Sequence, residues 1–364
     1  MKRLWMLPED IIDHLPPETA RIEQLRRTFL DNAKTWGYRL VMPPLVEFLD
    51  SLLAVGSEVL DVQTFKITDR KTGKLMGIRA DMTPQIARID AHRLPTDEIS
   101  RFSYCGEVLR SQSESNQARR NPLIAGAELY GISSISADIE IISLLLDSLQ
   151  IVNLKNSVIN LGHSGIFAGL VQLHNLNEEQ RNELRDVLIG LRRPDLHAWL
   201  QNRTFSSACI EDIRFLVDIP LALDPLDAIE KQFSGRHQLF DRALGDLLIT
   251  KEQLQNYFPN QKVAIDISVI GTYGYHSGLI FDIYAEGHYD TIARGGRYDG
   301  LGEVYGKSRA ACGFSIDLLT LAEILVDGED TSSIKISDLP KTQAEFVNIQ
   351  QCRRNGDIII FNHN

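Results

Sequence analysis

Cysteine is scarce in this chain, with Cys105, Cys209, Cys312 and Cys352 the only four among 364 residues. They lie far apart, so they form neither the paired spacing of a zinc site nor a disulfide framework. Long apolar runs are missing too: hydrophobic residues make up 43% of the chain, yet no stretch approaches the roughly 20 residues that a membrane helix needs. Lys2 and Arg3 open the chain, but Glu9 and Asp10 cut the following apolar segment short, against a signal peptide. A soluble protein of the reducing cytoplasm is expected, without membrane contact. Positive charge is in deficit, with 38 basic against 49 acidic residues and a net charge of −11. The field that draws proteins to phosphate backbones is therefore absent, and nucleic-acid binding is not expected. The basic pairs Arg119–Arg120 and Arg192–Arg193 read as solvated surface. No nucleophile elbow, phosphate loop or His-Glu-x-x-His pattern occurs. Gly300, Gly302 and Gly306 have the wrong spacing for a dinucleotide loop and read as turn glycines. No metal and no cofactor is implied.

What is present is a large core with a clear alternation of patterns. Ile22, Leu25, Phe29, Ala33 and Trp36 recur at steps of three and four, an amphipathic helix opened by Pro16–Pro17 and closed by Gly37. The next ten residues contain Pro43 and Pro44, which suits extended chain at an edge or interface rather than a central strand. Short β-type runs at 64–68, 77–79, 102–105 and 127–130 suggest an antiparallel sheet with hairpins. A helix is expected over Asp138–Ile151, with Asp138 and Glu140 placed to favour its dipole, and a strand at 158–161. Residues 165–257 turn Leu-rich and charged, with helical spacing at 178–191 and 239–248. The β pattern returns at 263–267, 279–284 and 310–316. The expected organisation is a discontinuous domain, 1–164 and 258–328, around a helical insertion at 165–257, followed by a short tail at 329–364.

Polar residues that end or interrupt the β-type runs carry the functional signal. Arg79, Asp81 and Thr83 stand in Ile-Arg-Ala-Asp-Met-Thr-Pro-Gln, Arg110 in Cys-Gly-Glu-Val-Leu-Arg, and Glu128 in Ala-Gly-Ala-Glu-Leu-Tyr-Gly. Where strands converge in one sheet, such groups share a cleft and offer acceptors to an ammonium or imidazole and a guanidinium to an anion.

In order and type these motifs resemble histidyl-tRNA synthetase over residues 10–325. Gly37 to Pro44 resembles the first class II motif, which implies that Pro44 lies at a dimer interface. Arg79 to Thr83 resembles Arg-Pro-Glu-Gly-Thr, which implies that Asp81 and Thr83 hold an ammonium. Arg110 matches the motif-two arginine that binds the ATP α-phosphate, and Glu128 an acid that contacts the substrate imidazole. Tyr275-His276-Ser-Gly resembles Tyr-Tyr-Thr-Gly, and the segments 295–301 and 313–316 resemble the approach to motif three and that motif itself. The implied fold is α/β: a class II aminoacyl-tRNA synthetase-like antiparallel sheet flanked by helices.

The departures from that family bear on function. Adenylation uses arginines to stabilise charge on phosphorus, and here these positions fall at Gly271 and Thr320. Gln112 replaces a motif-two acid, and Ile124 a glutamine. Losing one such charged contact typically costs about a hundredfold to a thousandfold in rate. The tail is also too short for an anticodon-binding domain. Together with the wording of its motifs, the chain resembles the regulatory subunit of short-form ATP phosphoribosyltransferase, a relative of the synthetase without its chemistry. That resemblance implies a short catalytic subunit as partner in the first step of histidine biosynthesis, self-association as a dimer, assembly into a hetero-octamer, and histidine as effector. The implied histidine pocket comprises Asp81, Thr83, Arg110, Glu128, Tyr275 and His276. The alternative readings are a true histidyl-tRNA synthetase and a tRNA-sensing synthetase-like protein.

Overall fold

The computed structural model describes residues 6–94, 97–113, 119–189, 200, 205–218, 225–266, 276–325, 334–337, 340–355 and 357–361. The chain divides into two units, 1–324 and 325–364. In the first, helix α1 (Glu18–Thr35) buries the apolar stripe that its periodicity marks out: Ile22, Leu25, Phe29 and Ala33. It leads into β1 (Arg39–Leu40), which pairs in parallel with β5 (Ser100–Glu107) at the edge of the main sheet.

Pro43 and Pro44 then remove two backbone donors, and the chain leaves that edge. It enters a separate three-stranded sheet, β2 (Val46–Phe48), β4 (Leu75–Ile78) and β3 (Phe65–Thr68), with the short helices α2 (Leu49–Leu52) and α3 (Glu58–Gln63) between β2 and β3. The runs at 64–68 and 77–79 therefore do not join the main sheet as a single antiparallel pattern would suggest. Helix α4 (Thr83–His92) carries the chain back to β5.

The main sheet has eight strands in the order β1-β5-β6-β11-β10-β9-β7-β8, where β6 is Leu123–Tyr130, β7 Ser157–His163, β8 Lys262–Ile265, β9 Leu279–Ala285, β10 Ala293–Arg297 and β11 Ala311–Asp317. Its interior pairs are antiparallel, as expected. The two edge pairs, β1–β5 and β7–β8, are parallel, because in each a helix-bearing connection separates the strands and returns the chain in the same direction.

Helix α5 (Ile135–Ile151) packs its Leu-rich face beneath the sheet. It starts three residues before the expected Asp138, whose carboxylate is buried against Arg297 rather than offered to solvent: Arg297 Nη2 approaches Asp138 Oδ2 at 2.5 Å, and Nε donates to the same oxygen at 3.1 Å. Glu140 lies beyond the first turn. It accepts from Tyr38 Oη at 2.9 Å and pairs with Arg101 at 2.7 Å, tying α5 to β5.

Between β7 and β8 the chain forms α6 (Ser164–Leu173), α7 (Glu178–Ile189), α8 (Ser207–Asp218), α9 (Pro225–Phe233) and α10 (Gln238–Tyr257). Phe233 stacks on Phe240 with centroids 4.5 Å apart in the core of this block. After β11 comes α11 (Leu318–Ile324). The second unit pairs β12 (Ile334–Ser337) in parallel with β13 (Ile358–Phe361) through α12 (Gln343–Arg354), whose start is fixed by a reciprocal Thr342–Glu345 capping box. No helix among the described residues is long and apolar enough to cross a membrane.

Candidate functional site

Glu128 sits at the centre of the main sheet, on β6, with Phe102 of β5 and Gly313 of β11 as its cross-strand neighbours. Only 1% of it is exposed, and a buried carboxylate must find donors. Thr83 Oγ1 and Tyr104 Oη each donate to Oε1 at 3.1 Å, and Tyr298 Oη donates to Oε2. All three donors are neutral hydroxyls. Burial pushes the Glu128 carboxyl up to about 8; the hydroxyl donors offset part of that rise, and the nearby Asp81 charge adds to it.

Thr83 is delivered by the first turn of α4, and Asp81 just before it fixes that turn, its Oδ1 accepting from the backbone amides of Met82 at 2.7 Å and Thr83 at 3.4 Å. Asp81, Thr83 and Glu128 are thus brought together as the sequence suggested. Tyr104 and Tyr298 were not singled out from sequence. The signal available for Tyr298 was its place in Gly-Gly-Arg-Tyr-Asp-Gly, while Tyr104 read only as a strand residue.

Two glycines form the floor beside Glu128. Gly313 and Gly296 are register partners on β11 and β10, so side chains at both would face the same side of the sheet. A Cβ at Gly313 would collide with the Glu128 carboxylate, and one at Gly296 would lie 2.8 Å from His276 Cδ2. The carboxylate and the imidazole therefore lie over two neighbouring strands, β11 and β10, on the floor that the two glycines form. Burial, helped by the charge of Arg294, lowers His276 to about 4, which leaves its ring neutral near pH 7. Tyr275 and Gly271 lie outside the described residues.

Arg110 follows β5 and reaches toward the start of α11. Its Nε donates to the Ala80 carbonyl at 3.4 Å, and its charge faces the buried Asp317, which starts α11 by accepting from Leu319 N at 2.9 Å and Thr320 Oγ1 at 3.0 Å. Arg79 is not in the cleft with Asp81. Its buried guanidinium donates to the carbonyls of Glu107 and Pro43, both at 2.8 Å, holding the proline segment against the end of β5. Pro44 is on the outer surface, among the exposed Leu40, Met42, Leu45 and Phe48, with Met42 80% exposed.

The expectation that Arg119–Arg120 is solvated surface is corrected. Arg119 pairs with Glu323, while Arg120 Nε donates to the Arg110 carbonyl at 3.0 Å and its backbone amide to Asp10 O at 3.0 Å. Both clamp the segment around Arg110, because its carbonyls and the acid on α11 need donors. Arg192–Arg193 lies outside the described residues. Gly306 does act as a turn glycine, with φ +81° closing the 3-10 turn Leu301–Tyr305. Among the described residues, no group of three or more His, Cys, Asp or Glu side chains is placed to hold a metal ion.

Set beside known proteins, residues 10–321 match the family model of histidyl-tRNA synthetase. The ATP phosphoribosyltransferase regulatory subunit of Marinomonas sp. is 38% identical over 336 residues, covering 90% of this chain and 84% of that one. This chain belongs to the ATP phosphoribosyltransferase regulatory subunits. Among solved structures, an ATP phosphoribosyltransferase regulatory subunit/histidyl-tRNA synthetase from Bacillus halodurans superposes with a TM-score of 0.85 at 24% identity, covering all of this chain and 93% of that one. An ATP phosphoribosyl transferase (HisG:HisZ) complex from Thermotoga maritima gives 0.63 at 19% identity, with 84% and 98% covered. The fold is therefore that of the class II synthetases, as the motifs implied. As a regulatory subunit, the chain occupies this fold without a catalytic role. Thr320 donates its hydroxyl to Asp317 Oδ2 at 3.0 Å.

Proposed function

We propose that this regulatory subunit binds and activates a short catalytic subunit of ATP phosphoribosyltransferase, in the first step of histidine biosynthesis, and that the Glu128 cleft receives histidine as feedback effector. A cytoplasmic setting fits that role. The partner is suggested by the Thermotoga maritima complex, which contains both components. Self-association runs through the Pro44 segment, where Leu40, Met42, Leu45 and Phe48 expose apolar surface, and two such dimers with four catalytic subunits make a hetero-octamer.

The observation that carries the effector reading is the unequal fate of the two halves of the cleft. On one side Glu128 keeps hydrogen-bonding capacity: a carboxylate offers about four lone-pair sites, and Thr83, Tyr104 and Tyr298 fill three. The remaining site suits one nitrogen of an imidazole. With its carboxyl held near 8, Glu128 donates a proton to a neutral imidazole and accepts from an imidazolium after ionising. Asp81 offers charge to the ammonium, and His276 and Tyr275 complete the imidazole's surroundings. On the other side, Arg110 faces Asp317 and Thr320, an arrangement that opposes a polyphosphate.

Three measurements test the proposal. Mixing the chain with a short catalytic subunit should give co-elution and altered turnover; unchanged kinetics at saturation with no co-elution would remove the partner assignment. Calorimetry should detect histidine on the chain or its complex, weakened by Glu128→Ala; absence of binding, or binding unaffected by the substitution, would remove the effector assignment. Histidine-dependent pyrophosphate exchange at a synthetase's rate would overturn the regulatory reading of the cleft.

A further inference from the structure

The turn that touches Glu128 and the segment that carries Pro44 are joined by a single helix. Thr83, the first residue of α4, donates to Glu128. Two residues later Gln85, 1% exposed, points the other way: its Nε2 donates to the Pro44 carbonyl and to Glu47 Oε1, both at 2.8 Å. Glu47 also accepts from Arg88 Nε, one turn further along α4, at 3.0 Å. Pro43 and Pro44 lack backbone N–H groups, so this stretch is held by side chains of its neighbours rather than by a strand ladder. Between the two ends, Met82, Ile86 and Ala87 are packed in the core, which makes α4 shift as one body rather than deform.

We propose that α4 couples the Glu128 cleft to the self-association face, with Gln85 as the positioning residue through which effector binding alters how two copies hold together. This rests on the effector and self-association readings given above. A ligand nitrogen at the open site on Glu128 Oε2 pulls the carboxylate against the bond that Thr83 Oγ1 makes to Oε1, and a shift of the first turn of α4 reaches the Pro44 carbonyl within one helical turn. Coupling of this kind is reciprocal: whatever histidine does to association, association does to histidine affinity.

The test is subunit exchange between donor- and acceptor-labelled copies of the full chain, with histidine binding followed in parallel by calorimetry. Saturating histidine should change the wild-type exchange rate by about fivefold or more, the lower range of allosteric couplings. Gln85→Met, close in shape but without the amide, should bind histidine within about threefold of wild type while its exchange rate no longer responds. Should circular dichroism show that Gln85→Met is unfolded, Glu47→Gln, at the far end of the same contacts, replaces it. Histidine that binds wild type without changing exchange overturns the coupling and leaves the effector reading standing. Histidine that does not bind removes the effector reading instead. In that event a ligand-free cycle of Thr83→Val and Gln85→Met decides: effects on exchange that multiply to within about twofold overturn the coupling, and a mismatch beyond about fivefold supports it. A chain that stays monomeric at all concentrations overturns it outright.

Discussion

Two buried carboxylates, Glu128 on the main sheet and Asp212 in the helical block, solve the same desolvation problem in opposite ways. Asp212, on α8, has a side chain 3% exposed and is surrounded by nitrogen donors: Arg236 Nη1 at 2.8 Å and Nη2 at 2.6 Å, His174 Nε2 at 2.8 Å and Gln232 Nε2 at 3.1 Å. Burial alone would raise it, but the hydrogen bonds from Arg236, Gln232 and His174 outweigh burial and hold it below the usual carboxylate range. Its acceptor capacity is consumed, and it staples α6, α8 and α9 together. Glu128 has three hydroxyls, no cation among its donors, and one acceptor site left. A carboxylate whose acceptor sites are all filled, two of them by a guanidinium, is a structural part. One kept company by neutral hydroxyls stays chemically open, at the cost of a raised pKa.

That contrast is broken most severely at Gly313. A methyl group there occupies the place of the Glu128 carboxylate, so Gly313→Ala should destabilise the first unit by about 3 kcal/mol, the upper range of overpacking. The double variant with Glu128→Ala should recover only part of that loss in urea denaturation, because the same methyl also lies 2.7 Å from the Ala127 carbonyl. Next in size, Asp212→Ala leaves Arg236 and His174 without their acceptor. Breaking a buried pair costs about 3–5 kcal/mol, less where one partner is part-exposed as Arg236 is, so about 2–3 kcal/mol is expected. Histidine binding should move by less than about threefold, since the damage is confined to the helical block.

The pH dependence of stability should separate the two acids by sign. Glu128 is raised from 4.5 to about 8, so the native state holds its proton more tightly than the unfolded chain. That stabilisation is complete below about pH 4.5 and is lost as pH rises through 8. Relative to Glu128→Gln, wild type should therefore weaken between pH 5 and 8, by on the order of 2 kcal/mol. The comparison cancels His276, whose lowered value gives the opposite slope between about 4 and 6.5. Asp212, lowered from 3.8, should stabilise wild type relative to Asp212→Asn at neutral pH, with the two converging as pH falls below 3.8. Melting curves across pH 3–9 measure both; parallel curves for wild type and Glu128→Gln would contradict the assignment. The smallest effect belongs to Tyr104→Phe, which removes one of three hydroxyl donors and should cost about 1 kcal/mol. It should push the Glu128 carboxyl higher still, read as a further shift of the same pH profile.

Much of the fold could be read from periodicity. The stripe from Ile22 to Ala33 is local, and a helix with one apolar face has only one way to bury it. The interior strands were legible because alternating and apolar runs demand a sheet. What eluded that reading depended on partners distant in sequence. Arg79 stands two residues from Asp81 yet serves Pro43 and Glu107, since β4 ends at Ile78 and the alternation that would put residues two apart on one face ends with it. Tyr104 is indistinguishable from any strand aromatic until β5 is set beside β6. Arg119 and Arg120 resemble a solvated basic pair until the acid on α11 and the carbonyls of Asp10 and Arg110 are brought to them.

By itself the sequence determined which side chains exist to do chemistry: Asp81, Thr83 and Glu128 in that order, with Asp317 and Thr320 after them. Residue type and spacing are properties of the chain alone, so those statements needed no coordinates. The tertiary structure decided how those groups behave. Only the register that sets Gly313 and Gly296 side by side lays the Glu128 carboxyl and the His276 ring across one floor, and only burial among hydroxyls rather than cations raises one acid while Arg236 holds the other down. Desolvation and proximity are properties of neighbours, and in a sheet ordered β1-β5-β6-β11-β10-β9-β7-β8 those of Glu128 range from Tyr104, 24 residues away, to Tyr298, 170 residues away along the chain.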